Sequence, residues 1–199
     1  LSVQTTRLLV LGVVRLRQPT YGYEIERELT SWNADQWAGI ARGSVYNQLK
    51  SLVRTGLLEF DSVSKTGNMP SKNLYRITEQ GNAEFFNLLH AILDSDKPQP
   101  LDMLPVLCFL PSLSKQEIID ACHHRIARIT SFLDAFDDQM KQWFPEDSST
   151  LYLEEIFWLE HESFIAEKRW LEAFLTRVNA GRYHFREDSE AGHDAKHSA

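Results

Sequence analysis

The sequence predicts a mainly α-helical chain with a small β-hairpin, built as a mixed N-terminal domain followed by a helical C-terminal one. Three observations predict it. Apolar residues recur at helical spacing through most of residues 3–94 and again through 114–179. One stretch, Leu57 to Ile77, reads instead as two short strands around a turn-rich polar loop. Between the halves, Asp94 to Ser112 holds Pro98, Pro100, Pro105 and Pro111, which interrupt any long regular element. The expected domains are 1–94, a proline-containing connector over 95–113, a helical domain over 114–180, and a disordered tail over 181–199 that has no apolar period.

Taken in order, Thr5 to Arg15 holds Leu8, Leu9, Leu11, Val13 and Val14, a short helix apolar enough to be buried. Thr20 is expected to cap a second helix, with Tyr21, Ile25 and Leu29 at four-residue spacing, ending near Trp32. Gly39 breaks that pattern. Gly43-Ser44 opens a third helix in which Val45, Leu49 and Leu52 recur at i, i+4 and i+7, and Gly56 is its stop. Leu57 to Val63 is a strand, Ser64 to Ser71 a loop, and Leu74 to Ile77 the return strand. Thr78 caps a fourth helix bearing Phe85, Leu88, Leu89, Ile92 and Leu93. Helix, helix, helix, hairpin, helix is the order of a winged helix-turn-helix domain.

In the second half, Ser114-Lys115-Gln116-Glu117 reads as a capping box that opens a helix running to about Trp143, closed by Pro145. Ile119, Cys122, Ile126, Ile129, Leu133, Phe136, Met140 and Trp143 alternate at three- and four-residue spacing, a heptad seam. A final helix from about Ser149 to Asn179 carries more than one apolar stripe, including Ile156, Leu159, Trp170 and Phe174. A helix apolar on two sides must bury both, and one neighbouring helix covers only one. A second copy of the chain is the expected cover, with Ile119, Ile126, Ile156, Leu159, Trp170 and Phe174 as candidate dimerisation residues.

Composition excludes several classes. With 43% hydrophobic residues the chain holds enough apolar surface for folded cores, and no run of apolar residues is long enough to span a membrane. The first residues show no secretory pattern, and Cys108 and Cys122 lack metal-type spacing, so a cytoplasmic setting is expected. The net charge of −7 disfavours a polyanionic partner only on average. Residues 1–95 carry 10 Lys and Arg against 9 Asp and Glu, whereas 96–199 carry 11 against 19, so the acidity lies in the second half. Phosphate affinity depends on a local patch, which the first half is free to provide.

That patch is expected on the third helix. Opposite Val45, Leu49 and Leu52 stand Asn47, Lys50, Ser51 and Arg54, with Ser44 beside them and Tyr46 and Gln48 flanking. Asn and Gln suit adenine edges in the major groove; Arg and Lys suit guanine or phosphate. Arg42 and Ser44 sit at the helix start, where backbone N–H groups favour an anion. Lys65, Asn68 and Lys72 lie in the hairpin, where a wing meets flanking backbone. These residues make double-stranded DNA the expected partner.

Two strings sharpen the reading. Gly22-Tyr23-Glu24-Ile25 with Leu29, then Gly43 to Leu52, then Gly56-Leu57-Leu58, resembles the PadR family of transcriptional regulators. So does Leu74-Tyr75-Arg76-Ile77-Thr78-Glu79-Gln80-Gly81, the family's tyrosine–x–(Ile/Leu)–Thr–x–x–Gly signature. The length and the helical second half resemble the larger subgroup, which includes phenolic-acid-responsive repressors and virulence activators. The resemblance implies a homodimeric, sequence-specific DNA-binding regulator, a repressor by expectation, on a pseudo-palindromic operator, and for some members a small aromatic effector. The wing, with only Lys65 and Lys72, is less basic than is common in such regulators.

Trp143 and Trp158 are the residues that could contact such an effector, although aromatic residues equally serve cores and interfaces. An enzyme is not expected, because no nucleophile elbow or glycine-rich phosphate loop occurs. No cofactor or metal is expected either: Cys122 lies on the heptad seam, and the adjacent His123 and His124 point about 100° apart on a helix. The competing reading is a winged-helix protein adaptor without DNA binding, which would have no use for an outward Asn47, Lys50 and Arg54.

Overall fold

A computed structural model describes residues 3–64, 72–97, 99, 101–144 and 151–186. The chain divides into two compact units, Leu1–Ala91 and Ile92–Ala199. The architecture is mostly helical with one small antiparallel sheet, as the sequence predicts. Among the described residues, no helix is long and apolar enough to cross a membrane.

The first unit is built around α1 (Val3–Arg17), whose Leu8, Leu9, Val10, Leu11, Val13 and Val14 are all buried. A helix apolar on nearly every side must be enclosed on nearly every side. Here α2 (Gly22–Ser31), α4 (Arg42–Arg54) and the strand β3 (Lys72–Ile77) pack around it. Arg15 ties α1 to α5 (Glu79–Leu93): its Nε donates to Asn82 Oδ1 at 2.8 Å while its guanidinium lies over the Phe85 and Phe86 rings.

Two short elements escaped the sequence reading. Thr20 does not cap α2 from outside the sheet; with Tyr21 it forms β1 (Thr20–Tyr21), pairing Thr20 with Tyr75 and Tyr21 with Leu74. The hairpin is thus the larger part of a three-stranded sheet of order β1-β3-β2, where β2 is Leu58–Ser64. Glu24 makes the α2 start instead, its Oε2 accepting from Thr20 Oγ1 at 3.0 Å and from Tyr21 N at 3.3 Å. A single turn, α3 (Ala34–Trp37), follows Asn33 in the left-handed region. A two-residue strand and a four-residue helix are both too short to show a period.

The joint between α4, the hairpin and α5 accounts for the second string of the sequence. Gly56 (φ 72°) ends α4, with Gly56 N donating to Val53 O at 3.1 Å and Leu57 N to Leu52 O at 2.9 Å. That pair of bonds is a Schellman motif, which needs a residue at ease in the left-handed region. Thr78 Oγ1 then shares its proton between Gly56 O at 2.8 Å and Leu57 O at 3.2 Å, and accepts from Gly81 N at 3.0 Å. One hydroxyl therefore caps α5 and fastens it to the turn that stops α4. β2 and β3 pair from Leu58 opposite Ile77 to Ser64 opposite Lys72, with a bulge between Phe60 and Val63 that adds one residue to β2.

The second unit contains α6 (Met103–Cys108), a short 3-10 turn at Leu110–Ser112, α7 (Lys115–Trp143) and α8 (Glu154–Asn179). The capping box forms: Ser114 Oγ accepts from Glu117 N at 3.1 Å, and Glu117 Oε2 from Ser114 N at 2.6 Å. α7 and α8 run antiparallel, since Phe132 meets Phe164, Phe136 meets His161, and Trp143 meets Phe157. Much of the heptad seam is spent on this pairing and on the unit's own core. Cys122, Ile129, Phe136 and Met140 are buried, Ile119, Ile126 and Leu133 half-buried, and Trp143 is half exposed. Burial pushes the Cys108 and Cys122 thiols up to about 11 and about 12, so both stay protonated near neutral pH. Pro145 and Ser149, expected to bound the two long helices, lie outside the described residues.

The expected disordered tail is corrected at its start. Tyr183 lies against Phe174 and accepts from Arg177 Nε at 3.0 Å, and Phe185 is buried. Arg186 N donates to Leu113 O, and its guanidinium reaches Glu117 at 3.2 Å. Two aromatic side chains in a polar stretch carry no period, yet each has an apolar surface to cover. Residues 187–199 lie outside the described residues.

Candidate nucleic-acid interface

α4 is amphipathic in the sense the sequence predicts. Val45, Leu49 and Leu52 are each 1% exposed, packed in the first unit's core. On the other side Asn47, Lys50 and Arg54 are exposed, and Ser44, Gln48 and Ser51 are half-buried beside them. The structure therefore gathers on one helix the amide and the two cations.

Among the described residues, the start of α4 has no side-chain cap. Its N-cap, Ala41, has extended backbone and no side-chain oxygen to accept from the first-turn N–H groups, and no acidic residue stands in that turn. Among the described residues, nothing lies within 4 Å of where a Cβ on Gly43 would sit. A helix start with no side-chain cap, at the positive end of the helix dipole, suits a phosphate oxygen. The other end carries Arg54 in the last turn, where a cation is favoured.

Tyr46 serves the fold as well as the surface. It is 40% exposed, but its ring edge rests on the α2 backbone. A Cβ at Gly22 would meet Tyr46 Cε1 at 2.9 Å and Leu49 Cδ1 at 3.4 Å. The glycine of the first string is thus what lets α2 and α4 approach closely. Tyr75 on β3, the tyrosine of the second string, is a neighbour of Tyr46. Burial raises its hydroxyl above the ordinary tyrosine range, a hydrogen bond from Asn73 opposes this, and the nearby Tyr46 adds to the rise.

The wing is described in part. Lys72 is the first residue of β3, known by its backbone, while Lys65 and Asn68 lie outside the described residues, as does the Arg42 side chain. Phe60, exposed on β2 and tilted over Tyr75 at 5.5 Å, is an apolar feature of the sheet that strand alternation alone did not single out.

In the second unit the residues expected at a dimer interface fall into two groups. Ile156 and Leu159 are 61% and 71% exposed, and Ile119, Ile126 and Trp170 are half-buried. Phe174 is 2% exposed, stacked on Trp170 and tilted against Tyr183, so it belongs to the unit's own core and offers nothing to a partner. Trp143 and Trp158 are partly exposed, each with a ring of its own unit beside it: Phe157 at 5.3 Å and Phe136 at 4.8 Å. Among the described residues no group of His, Cys, Asp and Glu is arranged to hold a metal ion.

A family model described as the transcriptional regulator PadR-like family matches residues 10–87. Bacillus subtilis PadR in complex with operator DNA is similar to this chain at 21% identity and TM-score 0.39, covering 86% of this chain and 98% of that one. The same protein in complex with p-coumaric acid gives 20% identity and TM-score 0.36, covering 88% and 99%. A PadR-like transcriptional regulator from Bacillus cereus gives 21% identity and TM-score 0.36, covering 86% and 94%. No protein of curated function matches. The matched stretch runs from α1 into α5, where both strings, the glycine beneath Tyr46 and the Thr78 joint all lie. The match of residues 10–87 to the PadR-like family of transcriptional regulators is thus a match to the unit that carries α4 and the hairpin.

Proposed function

We propose that this chain is a cytoplasmic, sequence-specific DNA-binding repressor that acts as a homodimer on a pseudo-palindromic operator and is relieved by a small aromatic effector. The observation that carries the reading is the division of α4. Its apolar stripe is 1% exposed, while Asn47, Lys50 and Arg54 stand in solvent together. A merely solvated helix has no need of an uncapped start free of acidic residues beside such a face.

In this reading Asn47 reads an adenine edge, and Lys50 and Arg54 hold phosphates or guanine. Asn47→Ala is expected to cost about 1–3 kcal/mol on the operator and little on random DNA. Fluorescence anisotropy on the genomic fragment that the protein retains, beside a scrambled one, measures both. Equal losses on the two would remove Asn47 from base reading.

Dimerisation is supported by exposed apolar side chains just before and along the start of α8. Tyr152, Ile156 and Leu159 are 61–71% exposed, which a solvated helix face does not require. The paired change Ile156→Asp with Leu159→Asp is expected to turn the dimer into a folded monomer and to weaken operator binding at least about tenfold, since two half-sites are then bound separately. Light scattering reads the mass; an unaltered dimer would put the interface elsewhere. A dimer seated over a promoter blocks polymerase, which is why repression is proposed. Relief requires an effector that prefers the arrangement unable to bind the operator, typically by about 1–3 kcal/mol. The partly exposed Trp143 and Trp158 give a fluorescence signal for testing aromatic compounds with and without operator.

A further inference from the structure

One side of α8 carries a single apolar row. Ile156, Leu159, Ser163, Ala166 and Trp170 recur at alternating three- and four-residue spacing, which sets them in line along a helix. The row has two unlike halves. At its start Ile156 and Leu159 stand in solvent as large apolar projections. Farther along, the small Ser163 and Ala166 leave a hollow. Leu101 just before α6, Leu104 and Leu107 on it, and Trp170 on α8 wall that hollow into an apolar groove of about 440 Å³.

The polar groups beside the row are spent within the unit. Ser163 Oγ donates to Leu159 O in its own helix at 2.8 Å, so its hydroxyl asks nothing of a neighbour. Glu167, at the edge of the groove, is turned inward, its Oε1 accepting from the buried Arg125 Nε at 2.6 Å. Trp170 is held by stacking on the buried Phe174, with ring centroids 5.0 Å apart and planes 9° from parallel. The wall is therefore fixed before anything meets it.

A row that projects at one end and is hollow at the other is complementary to its own reverse. Laid antiparallel about a two-fold axis near Ser163, two copies of α8 bring the projecting half of each against the hollow half of the other, and both contacts form at once. The side chains at a crossing set how closely two helices approach, and here they are a serine and an alanine. Parallel pairing would oppose projection to projection and leave both grooves empty. We propose that two copies of the chain pair through α8 in this antiparallel sense, Ile156 and Leu159 of each filling the groove between α6 and α8 of the other. The pairing rests on the dimer reading given above and adds to it which faces meet. It also accounts for Leu101, 64% exposed at the groove, which the second copy covers.

Thiol cross-linking of the full chain tests the pairing apart from the dimer. The background is Cys108→Ser; Cys122 is buried, with its thiol pushed up to about 12, and does not compete. Single cysteines, Ser163→Cys and Glu155→Cys, are treated with a short bismaleimide. Antiparallel pairing sets the two copies of residue 163 side by side, whereas those of residue 155, displaced along each helix by about 1.5 Å per residue, lie roughly 24 Å apart. Ser163→Cys is expected to give at least about tenfold more covalent dimer than Glu155→Cys. Light scattering on the same samples before the reagent is added reads the mass. A dimer in which Glu155→Cys cross-links as readily as Ser163→Cys, or in which Ser163→Cys does not cross-link, overturns the antiparallel pairing and leaves the dimer standing. A monomer overturns both. Ala166→Lys, an exposed position in the hollow, is expected to weaken the dimer at least about tenfold with helix content unchanged by circular dichroism, because it puts a charge where apolar side chains are to be seated. An undiminished dimer affinity in that variant would take the groove out of the interface.

Discussion

Gly81→Ala is expected to destabilise the first unit by about 3 kcal/mol or more, as overpacking against backbone does when neither side can yield. A Cβ at residue 81 would overlap the Leu57 carbonyl oxygen and come within 2.9 Å of both the Leu57 carbonyl carbon and Ile77 Cγ1. Two of those three atoms are backbone, and they are fixed twice over. Leu57 N completes the α4 stop by donating to Leu52 O, and Leu57 O accepts from Thr78 N at 3.2 Å. Relief would require α5 to move away, which breaks the Gly81 N to Thr78 Oγ1 bond and loosens the Thr78 contacts to Gly56 and Leu57. With a net stability of only about 5–15 kcal/mol for a domain, such a loss is severe. Urea denaturation of the variant beside the wild type measures it. A cost below about 1 kcal/mol would mean that the joint adjusts easily, and that the glycine of the second string has no packing reason.

Arg125→Ala is expected to be at least as damaging in the second unit, by about 3–5 kcal/mol, because it leaves a buried carboxylate without its counter-charge. The pair is well enclosed, with Arg125 at 4% and Glu167 at 10% side-chain exposure. The same guanidinium also holds Gln99 O, so its loss frees the segment before α6 as well. The double change Arg125→Met with Glu167→Leu separates the two costs. Replacing both partners with apolar groups should recover most of the stability, since burying an ion pair is itself expensive. If Arg125→Ala melts within a degree or two of the wild type, the pair is solvated in solution and contributes little.

What the sequence made legible follows from length and period. α4 spans 13 residues with three apolar positions on one face, and all three are buried to 1%. α7 was legible because Ser114 and Glu117 mark its start and a long apolar repeat marks its body. β1 and α3 were not, since neither is long enough to repeat anything. Pattern also failed to say what the repeat packs against. Phe136 and Phe174 have the spacing of interface residues, but they are consumed inside their own unit by Trp158, His161, Trp170 and Tyr183. Nothing in the sequence marks Arg125 as buried, because its partner Glu167 lies 42 positions away. At the interface, Asn47, Lys50 and Arg54 could be placed by helical spacing, whereas the bare Ala41 start, the Tyr46–Gly22 contact and the Tyr75 neighbour depend on tertiary approach.

The central claim is that α4 holds a DNA duplex, and the salt dependence of binding tests it most directly. Affinity for the fragment retained from the genome is measured by anisotropy across a salt series, for the wild type and for Lys50→Ala. Each phosphate contact contributes about 0.9 to the slope of log affinity against log salt, because neutralising a phosphate releases condensed counterions. The wild type should therefore weaken steeply as salt rises, and Lys50→Ala should flatten the slope by about one unit on operator and random DNA alike. A wild-type affinity that ignores salt, or a Lys50→Ala line parallel to the wild type, would contradict the account and leave the winged fold as a surface for another protein.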